Sequence, residues 1–497
     1  MRGKIMLLFN NFAPPSPLVK EGAALNDKEF LEREISAWKY CPERLLQIKG
    51  FRYFEGGHDI LYRKRTVIGE GGELAEVENL PNNRIVDNQY GKLVLQKANY
   101  ILGQPFIIES DNERYTELLK QIFDKRFMRL LKNAGKAALN GGVAWLYPYF
   151  DEDGKLRFRL FPAYEILPFW KDSEHTALDC AVRLYLVQGY RGDVPVLIEK
   201  AEVYDLEGVH RFIFENGSLI PDTDNIDYGY SPYVLADGKG FNWEKIPLIA
   251  VKYNENETPL LKRVKSLQDG INVMLSDFEN NLQEDARNTI LVLKNYDGTN
   301  LGEFRKNLAT YGAVKVRSDG EAGGGVETLE INVNSDNYKA ILEIFKKAII
   351  ENGMGFDAKD DKLSGNPNQM NIQSMYSDID LDANDMETEL QAAFEDILWF
   401  VNVYLANIGE GDFSGEQINV IFNRDMLMNE TEAIANCQAS VGILSDETIV
   451  GQHPWVDDSQ QEMERLKKQK EEAQKEFEMQ QGYDPFAQKE KGGMNEE

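Results

Sequence analysis

The sequence predicts an α+β fold: long helices, an antiparallel β-rich unit before them, a small α/β insertion between them and a helical region after them. Three observations predict it. First, no proline occurs between Pro259 and Pro367, and apolar residues there recur at spacings of three and four. Second, residues 141–250 alternate short apolar runs with turn residues, the mark of antiparallel strands rather than a βαβ series. Third, the stretch 288–334 breaks the helical pattern with glycine and strand-like runs before it resumes.

Taken in order, residues 1–29 hold Pro14, Pro15 and Pro17 and read as an irregular arm. A helix from about Asp27 to Cys41 follows, then charged, glycine-rich sequence with short strands. The run 82–108 is helical in its middle; Gly103 ends the helix and Pro105 feeds a strand at Phe106 to Glu109. Residues 113–139 read as one amphipathic helix, with six basic residues and one acid between Lys120 and Lys136. That basic side is either a solvated face or a contact to an acidic neighbour. A hairpin is expected over Gly142 to Phe161, turning at Asp151-Glu152-Asp153-Gly154.

The first long helix carries its apolar face on Leu260, Val264, Leu267, Ile271, Met274, Phe278 and Leu282. Lys262, Arg263 and Lys265 open it, where cations oppose the helix dipole. Either they have partners elsewhere or the helix starts earlier. The pattern returns at Tyr338, Ile341, Phe345 and Ala348 and stops at Gly353 and Gly355, residues suited to a C-cap or a mobile loop. It resumes from Ile372 through Tyr376, Ile379, Ala383, Met386, Leu390, Phe394, Ile397 and Val401 to Tyr404, a helix of roughly 50 Å at ~1.5 Å per residue. A strand at Gln417 to Phe422, a helix at Glu430 to Val441, a short helix capped by Ser445 and a charged helix over 459–480 complete the chain before a polar tail.

The chain has 497 residues, 42% of them hydrophobic, and a formal charge of −28. Such acidity disfavours a protein that grips nucleic acid by its phosphates. It is compatible with a channel along which a polyanion slides without sticking. The three cysteines and four histidines form no disulfide framework, zinc pattern or nucleophile–base pair, and Gly69-Glu70-Gly71-Gly72 lacks the Lys-Ser/Thr of a phosphate loop. No apolar run reaches the ~18 residues needed to cross a bilayer, so a soluble protein is expected. Asp378, Asp380, Asp382 and Glu389 fall at calcium-loop positions, but Ala383 replaces the necessary glycine. Read as helix, Asp378, Asp382, Asp385 and Glu389 share one face. No Lys or Arg lies between Lys362 and Arg424, so that face is either solvated or borders a passage or a basic neighbour.

Four segments together carry a family resemblance: NNRIVDNQYGKLVLQKANYILGQPFII (82–108), NGGVAWLYPYFDEDGKLRFRLFPAYEILPFW (140–170), the stretch 246–298 beginning IPLIAVKYNENETPLLKRVKSLQDG, and LSDETIVGQHPWVDD (444–458). In their order and spacing the chain resembles tailed-phage portal proteins of the SPP1 type. The resemblance implies a homo-oligomeric ring, usually of twelve copies, around a channel for double-stranded DNA. It implies a wing at 30–257, stem helices at 258–287 and 335–353 and a clip at 288–334. A tunnel loop would follow at 354–367, then a long wing helix with its following strand at 368–428, a crown at 429–480 and a disordered tail at 481–497. The DNA-facing loop would present Lys359 and Lys362 among Asp357, Asp360 and Asp361, bounded by Gly353 and Gly355. The clip, with Lys294, Arg305, Lys306, Lys315 and Arg317, would dock the terminase large subunit and the head-tail adaptor. Major capsid and scaffolding proteins are further implied partners. No cofactor, metal, catalysis or membrane contact is implied. The protein is expected in the virion, at the portal vertex, after synthesis in the bacterial host cytoplasm. Lys125, Arg126 and Arg129 against Asp378, Asp382, Asp385 and Glu389 are candidate subunit contacts. The residues alone also leave open a soluble enzyme with an acidic site, or a non-viral ring-forming protein.

Overall fold

Helices α1 (Lys28–Trp38) and α2 (Pro42–Phe54) begin the part of the chain described by the computed structural model. The described residues are 28–68, 73–76, 80–222, 230–236, 238–285, 290–294, 318–319, 322–323, 325–329, 335–357, 369–424, 430–456 and 459–481. The chain divides into two units: Met1–Phe356 with Asp378–Asp425, and Asp357–Ser377 with Met426–Glu497.

In the first unit, β1 (Thr66–Ile68) and β2 (Leu74–Glu76) form a ribbon, and α3 (Gln89–Leu102) leads to β3 (Ile107–Glu109). The expected single helix over 113–139 is two: α4 (Glu113–Ile122) and α5 (Lys125–Gly141). Asp124 causes the break. Its carboxylate accepts from the backbone N–H groups of Arg126 (2.9 Å) and Phe127 (3.0 Å), starting a new helix, while Phe123 turns inward. Phe123 joins Phe106, Phe127, Phe394 and Phe422 in an aromatic cluster with centroids 4.6–6.4 Å apart.

Strands β4 (Val143–Phe150) and β5 (Leu156–Pro162) form the expected hairpin. The chain then supplies β6 (Ile166–Trp170), β7 (Leu178–Arg191), β8 (Val194–Tyr204), β9 (Val209–Glu215), β10 (Ser218–Pro221) and β11 (Tyr230–Ser231). These six make one antiparallel sheet in the order β10-β9-β8-β7-β6, with β11 beside β9. One face of it packs on α1, where Leu31 and Ile35 meet Val182, Leu184, Ala201 and Phe214. Next come the β12 (Val234–Ala236) and β13 (Lys239–Phe241) ribbon and β14 (Ile249–Lys252), which joins the first hairpin in the order β14-β4-β5. Trp145 on the central strand stacks on Trp170 at 5.7 Å within the core between the two sheets.

Helix α6 (Leu261–Asp285) follows. Of the insertion, β15 (Ile290–Lys294) pairs with β18 (Gly325–Leu329), and β16 (Ser318–Asp319) with β17 (Ala322–Gly323). Its expected helix over 301–310 lies outside the described residues, as do the N-terminal arm before Lys28 and the tail after Gln481. Helix α7 (Ser335–Asn352) packs beside α6, with Phe278 and Tyr338 at 5.0 Å. Helix α8 (Gln369–Asn407) has 39 residues, about 58 Å at ~1.5 Å per residue. Its expected apolar face is buried from Ile372 to Val401. After it, β19 (Asn419–Ile421) pairs with β3.

The second unit holds α9 (Glu430–Ala439), α10 (Asp446–Gly451) and α11 (Ser459–Gln481). Ser445 caps α10 by accepting from the Thr448 N–H at 3.3 Å, and Lys470 on α11 pairs with Asp446 at 3.1 Å.

Candidate functional site at the 353–356 turn

The expected apolar face of α6 is only half buried, and the reason is a polar one. Gln268, Asn272, Ser276 and Asn280, each four residues after the last, are all 4% exposed or less. They hold the extended segment 83–88 and the first turn of α3 by the backbone. Tyr90 N–H donates to Gln268 Oε1 (2.8 Å), Asp87 N–H to Asn272 Oδ1 (3.0 Å), Ile85 N–H to Ser276 Oγ (2.9 Å) and Asn83 N–H to Asn280 Oδ1 (2.7 Å). Gln268 Nε2 returns a bond to the Asp87 carbonyl at 2.7 Å. Each rung satisfies a backbone donor that burial would otherwise strand. The ladder delivers the chain to Asn88, which caps α3 by accepting from Gly91 N–H at 2.7 Å. The start and line of α3 are therefore set by α6.

Helix α3 in turn grips the end of α7. The Met354 N–H donates to the Glu351 carbonyl (3.0 Å) and the Gly355 N–H to the Ile350 carbonyl (2.8 Å), the paired bonds of a Schellman cap. The left-handed position in that cap, usually glycine, is Met354, with φ of 49°. The glycines flank it for a different reason. A Cβ on Gly353 would lie 2.7 Å from Leu93 Cδ1, and one on Gly355 would overlap Leu93 Cδ2. Both are buried. Of the two expected roles, a C-cap or a mobile loop, the structure shows the cap, and the two glycines allow α3 and the turn to touch. Gln96 clamps the next residue both ways, donating to the Phe356 carbonyl (2.6 Å) and accepting from its N–H (3.0 Å).

Beside this turn lies a buried ionic node. Lys97 Nζ reaches Asp382 Oδ2 of α8 at 2.6 Å and the Met354 carbonyl at 2.9 Å. The two charged side chains are 3% and 5% exposed. Asp382 also accepts from Tyr253 Oη (2.8 Å) and Arg263 Nη1 (2.9 Å). Burial pulls the Lys97 ammonium below the usual lysine range, and the Asp382 charge opposes that shift. Burial likewise pushes the Tyr253 phenol far above its usual range. Arg263 thus has its partner within the chain. So has Lys265, which meets Asp59 (2.9 Å) and Asp269. The node chemically locks α3, α6, α8 and the 353–356 turn to one carboxylate. Among the described residues no group of three or more His, Cys, Asp or Glu could hold a metal.

Asp382 is therefore not available to a neighbouring subunit, because its lone pairs are committed inside the chain; that expectation is corrected. Asp378 and Asp385 are exposed on α8, and Glu389 is half-buried. Arg424 reaches back to Asp380 and Glu387, each at 2.8 Å. Lys125, Arg126 and Arg129 are exposed on the first turn and a half of α5. Asp357 is half-buried, whereas Lys359, Asp360, Asp361 and Lys362 lie outside the described residues. Lys294 ends β15; Arg305, Lys306, Lys315 and Arg317 lie outside the described residues. Sequence reasoning missed Gln96, Lys97 and the α6 ladder. Only the ladder left a signal, four polar hydrogen-bonding residues at intervals of four.

The helix pair α6 and α7 leaves apolar side chains uncovered: Val273 and Leu282 on α6, and on α7 Ile341 and, 62% exposed, Ile344. Among the described residues no helix is long and apolar enough to cross a membrane.

Comparison with known proteins is consistent along nearly the whole chain. The family described as "Phage portal protein, SPP1 Gp6-like" matches residues 44–476. The portal protein of Bacillus phage SPP1 is 30% identical over 439 residues, covering 87% of this chain and 84% of that protein. The portal protein of Clostridium phage phiCD119 is 28% identical over 447 residues, covering 87% and 93%. Solved structures resemble the chain more distantly. A chain from the virion of a native gene transfer agent particle has 12% identity and a TM-score of 0.38, over 72% of this chain and 87% of its own. A chain from the neck of that particle, computed with C12 symmetry, has 13% identity and a TM-score of 0.39, over 81% and 91%. On the family match and the relative from phage SPP1, the chain belongs to the SPP1 Gp6-like family of phage portal proteins.

Proposed function

We propose that copies of this chain form a ring at one capsid vertex of a phage or phage-like particle. Double-stranded DNA passes through the ring during packaging and leaves by it during ejection. Family membership over residues 44–476 carries this reading. The neighbouring exposed side chains Ile341 and Ile344 on α7 support it, since apolar groups left in the open on a single chain suit a contact with another protein. Helices α6 and α7 are the stem, the insertion 288–334 is the clip that docks the terminase large subunit and later the head-tail adaptor, and α8 crosses the wing. Residues 429–480 are the crown.

DNA is handled without sequence readout. The carboxylates left exposed in the stretch between Lys362 and Arg424, Asp378 and Asp385 among them, give a non-adhesive surface to a polyanion, with no Lys or Arg between. Lys359 and Lys362, among Asp357, Asp360 and Asp361, make weak phosphate contacts that salt disrupts. The turn at 353–356 is the fixed footing of that segment on its N-terminal side. Purified protein imaged in negative stain should give ring particles with a central hole, and native mass spectrometry should give a closed oligomer, twelve copies being the implied number. A clean monomer at micromolar concentration would overturn the reading. For the loop, replacing Lys359 and Lys362 with Ala should lower packaged or retained DNA; unchanged packaging and retention would remove these lysines from the DNA path.

A further inference from the structure

The edges of the β14-β4-β5 sheet carry opposite electrostatic characters. Beside the β14 edge runs a groove of about 490 Å³, lined by Ile249 and Ala250 of that strand and by Glu389, Glu395, Asp396 and Phe400 of α8. Its walls add Glu244, Glu255 and Glu174 against Lys171, Lys245 and Lys252. Lys245 pairs with Asp396 at 2.8 Å. Among the described residues Glu244, Glu255, Glu389 and Glu395 are in no salt bridge. Burial raises the Glu389 carboxyl, and Glu255, Glu257 and Asp385 push it the same way while Lys252 opposes.

At the β5 edge the character reverses. A smaller hollow of about 300 Å³ is lined by Arg126 and Arg129 of α5 and by Arg157 and Phe158 of β5. Arg157 is neutralised by Asp124 (2.9 Å) and Asp151 (3.1 Å). Lys125, Arg126 and Arg129 are exposed, and among the described residues they are in no salt bridge. Cations in the first turns of a helix oppose its dipole, so their placement is unfavourable within the isolated chain.

Resting on the ring reading above, we propose that the β14-edge groove receives the N-terminal turns of α5 from a second copy, with Lys125, Arg126 and Arg129 meeting Glu389, Glu395 and Asp396. Because the two patches border opposite edges of one sheet, the contact is head-to-tail. Such a contact closes into a ring when its rotation divides the circle. The apolar floor at Ile249, Ala250 and Phe400 receives the aliphatic stems of the basic side chains, and their charged ends meet the carboxylates. The surviving imbalance of acids in the groove is thereby matched by the imbalance of cations on α5.

The test uses two full-length variants, Arg126→Glu/Arg129→Glu and Glu395→Lys/Asp396→Lys, each checked for a native-like thermal transition. Native mass spectrometry should show each alone losing rings by ~10-fold or more, since like charges then face each other. An equimolar mixture should recover rings, with the two variants alternating and therefore present in equal numbers. Wild-type rings in either variant alone, with the wild type also forming rings, overturn the groove assignment and leave the ring reading intact. A wild type that forms no rings overturns both. Carbodiimide cross-linking of wild-type rings assembled from isotopically labelled and unlabelled chains is independent of any variant's folding. It should join Lys125 to Glu395 or Asp396 between copies, and the lack of any such inter-copy link overturns the groove assignment.

Discussion

Helices α6 and α8 are both long and both rich in polar residues, yet they bury opposite things. Helix α8 buries an apolar stripe, and nearly every position at its three-and-four spacing meets other side chains: Ile379, Met386, Leu390, Phe394, Ile397 and Val401 are each at most 2% exposed. Helix α6 starts that way, with Leu261, Val264 and Ile271 fully buried. It then turns a Gln-Asn-Ser-Asn stripe inward and leaves Val273 and Leu282 outside. The difference lies in what each helix packs against. A helix that meets side chains needs apolar surface. One that meets an extended backbone needs acceptors at the spacing of the backbone donors. The single charged residue buried in α8, Asp382, follows the second rule, since it organises three donors and a turn.

Substitutions in the two helices and in the turn they hold test this contrast. The largest effect is expected at Asp382→Ala, which leaves Lys97 buried with only the Met354 carbonyl; about 3–5 kcal/mol should be lost in urea unfolding. The exposed Asp385→Ala on the same helix should stay within about 0.5 kcal/mol. Equal losses at the two would mean that the node is not the special feature of α8. Next comes Asn272→Leu. On an apolar-stripe view of α6 it should stabilise. Because it strands the Asp87 N–H, a loss of about 1–3 kcal/mol is expected instead. Faster hydrogen exchange at the Asp87 amide is the direct readout. A stabilised variant with that amide still protected would break the contrast.

Gly355→Ala should cost about 1–3 kcal/mol by overlap with Leu93, and a double-mutant cycle with Leu93→Ala should recover part of it. No coupling between the two sites would mean that the glycine serves backbone freedom rather than contact. The smallest effect has the opposite sign. Met354→Gly relieves a left-handed methionine but loosens the unfolded chain, leaving a net gain of about 0.5 kcal/mol. A loss there would show that the Met354 side chain, 3.5 Å from Arg263, contributes more than its backbone strain costs.

What the sequence made legible follows the same physics. Helix α8, the 143–162 hairpin and the Ser445 cap were readable because their signals are local: apolar period, turn residues, a capping hydroxyl. The break at Asp124 was hidden because the amphipathic pattern runs through it, and only the capping geometry separates α4 from α5. The pairing of β14 with β4 joins residues about a hundred positions apart, and no periodicity announces such a partner. Nor does any local signal announce Lys97 with Asp382, 285 residues distant. Gly353 and Gly355 were visible as glycines, but their purpose depends on Leu93. The α6 ladder is intermediate: its spacing was in plain view, and its meaning required knowing that an extended segment lies alongside.

That ladder has a built-in maximum length. One helical step of four residues advances ~6.0 Å. Two residues of extended chain advance ~6.6–6.8 Å. Each rung therefore slips by ~0.7 Å against its partner, and a few rungs accumulate about half the spacing of adjacent residues. The step between Asp87 and Tyr90 takes three residues because α3 begins at Gln89, where the rise per residue falls to ~1.5 Å, and the ladder ends after its fourth rung at Asn83. The rungs draw on backbone donors, so within 83–87 identity matters less than number, whereas Asn88 caps α3 and Tyr90 is buried with its hydroxyl on Asn140. Deleting one residue there would shift every donor out of phase at once.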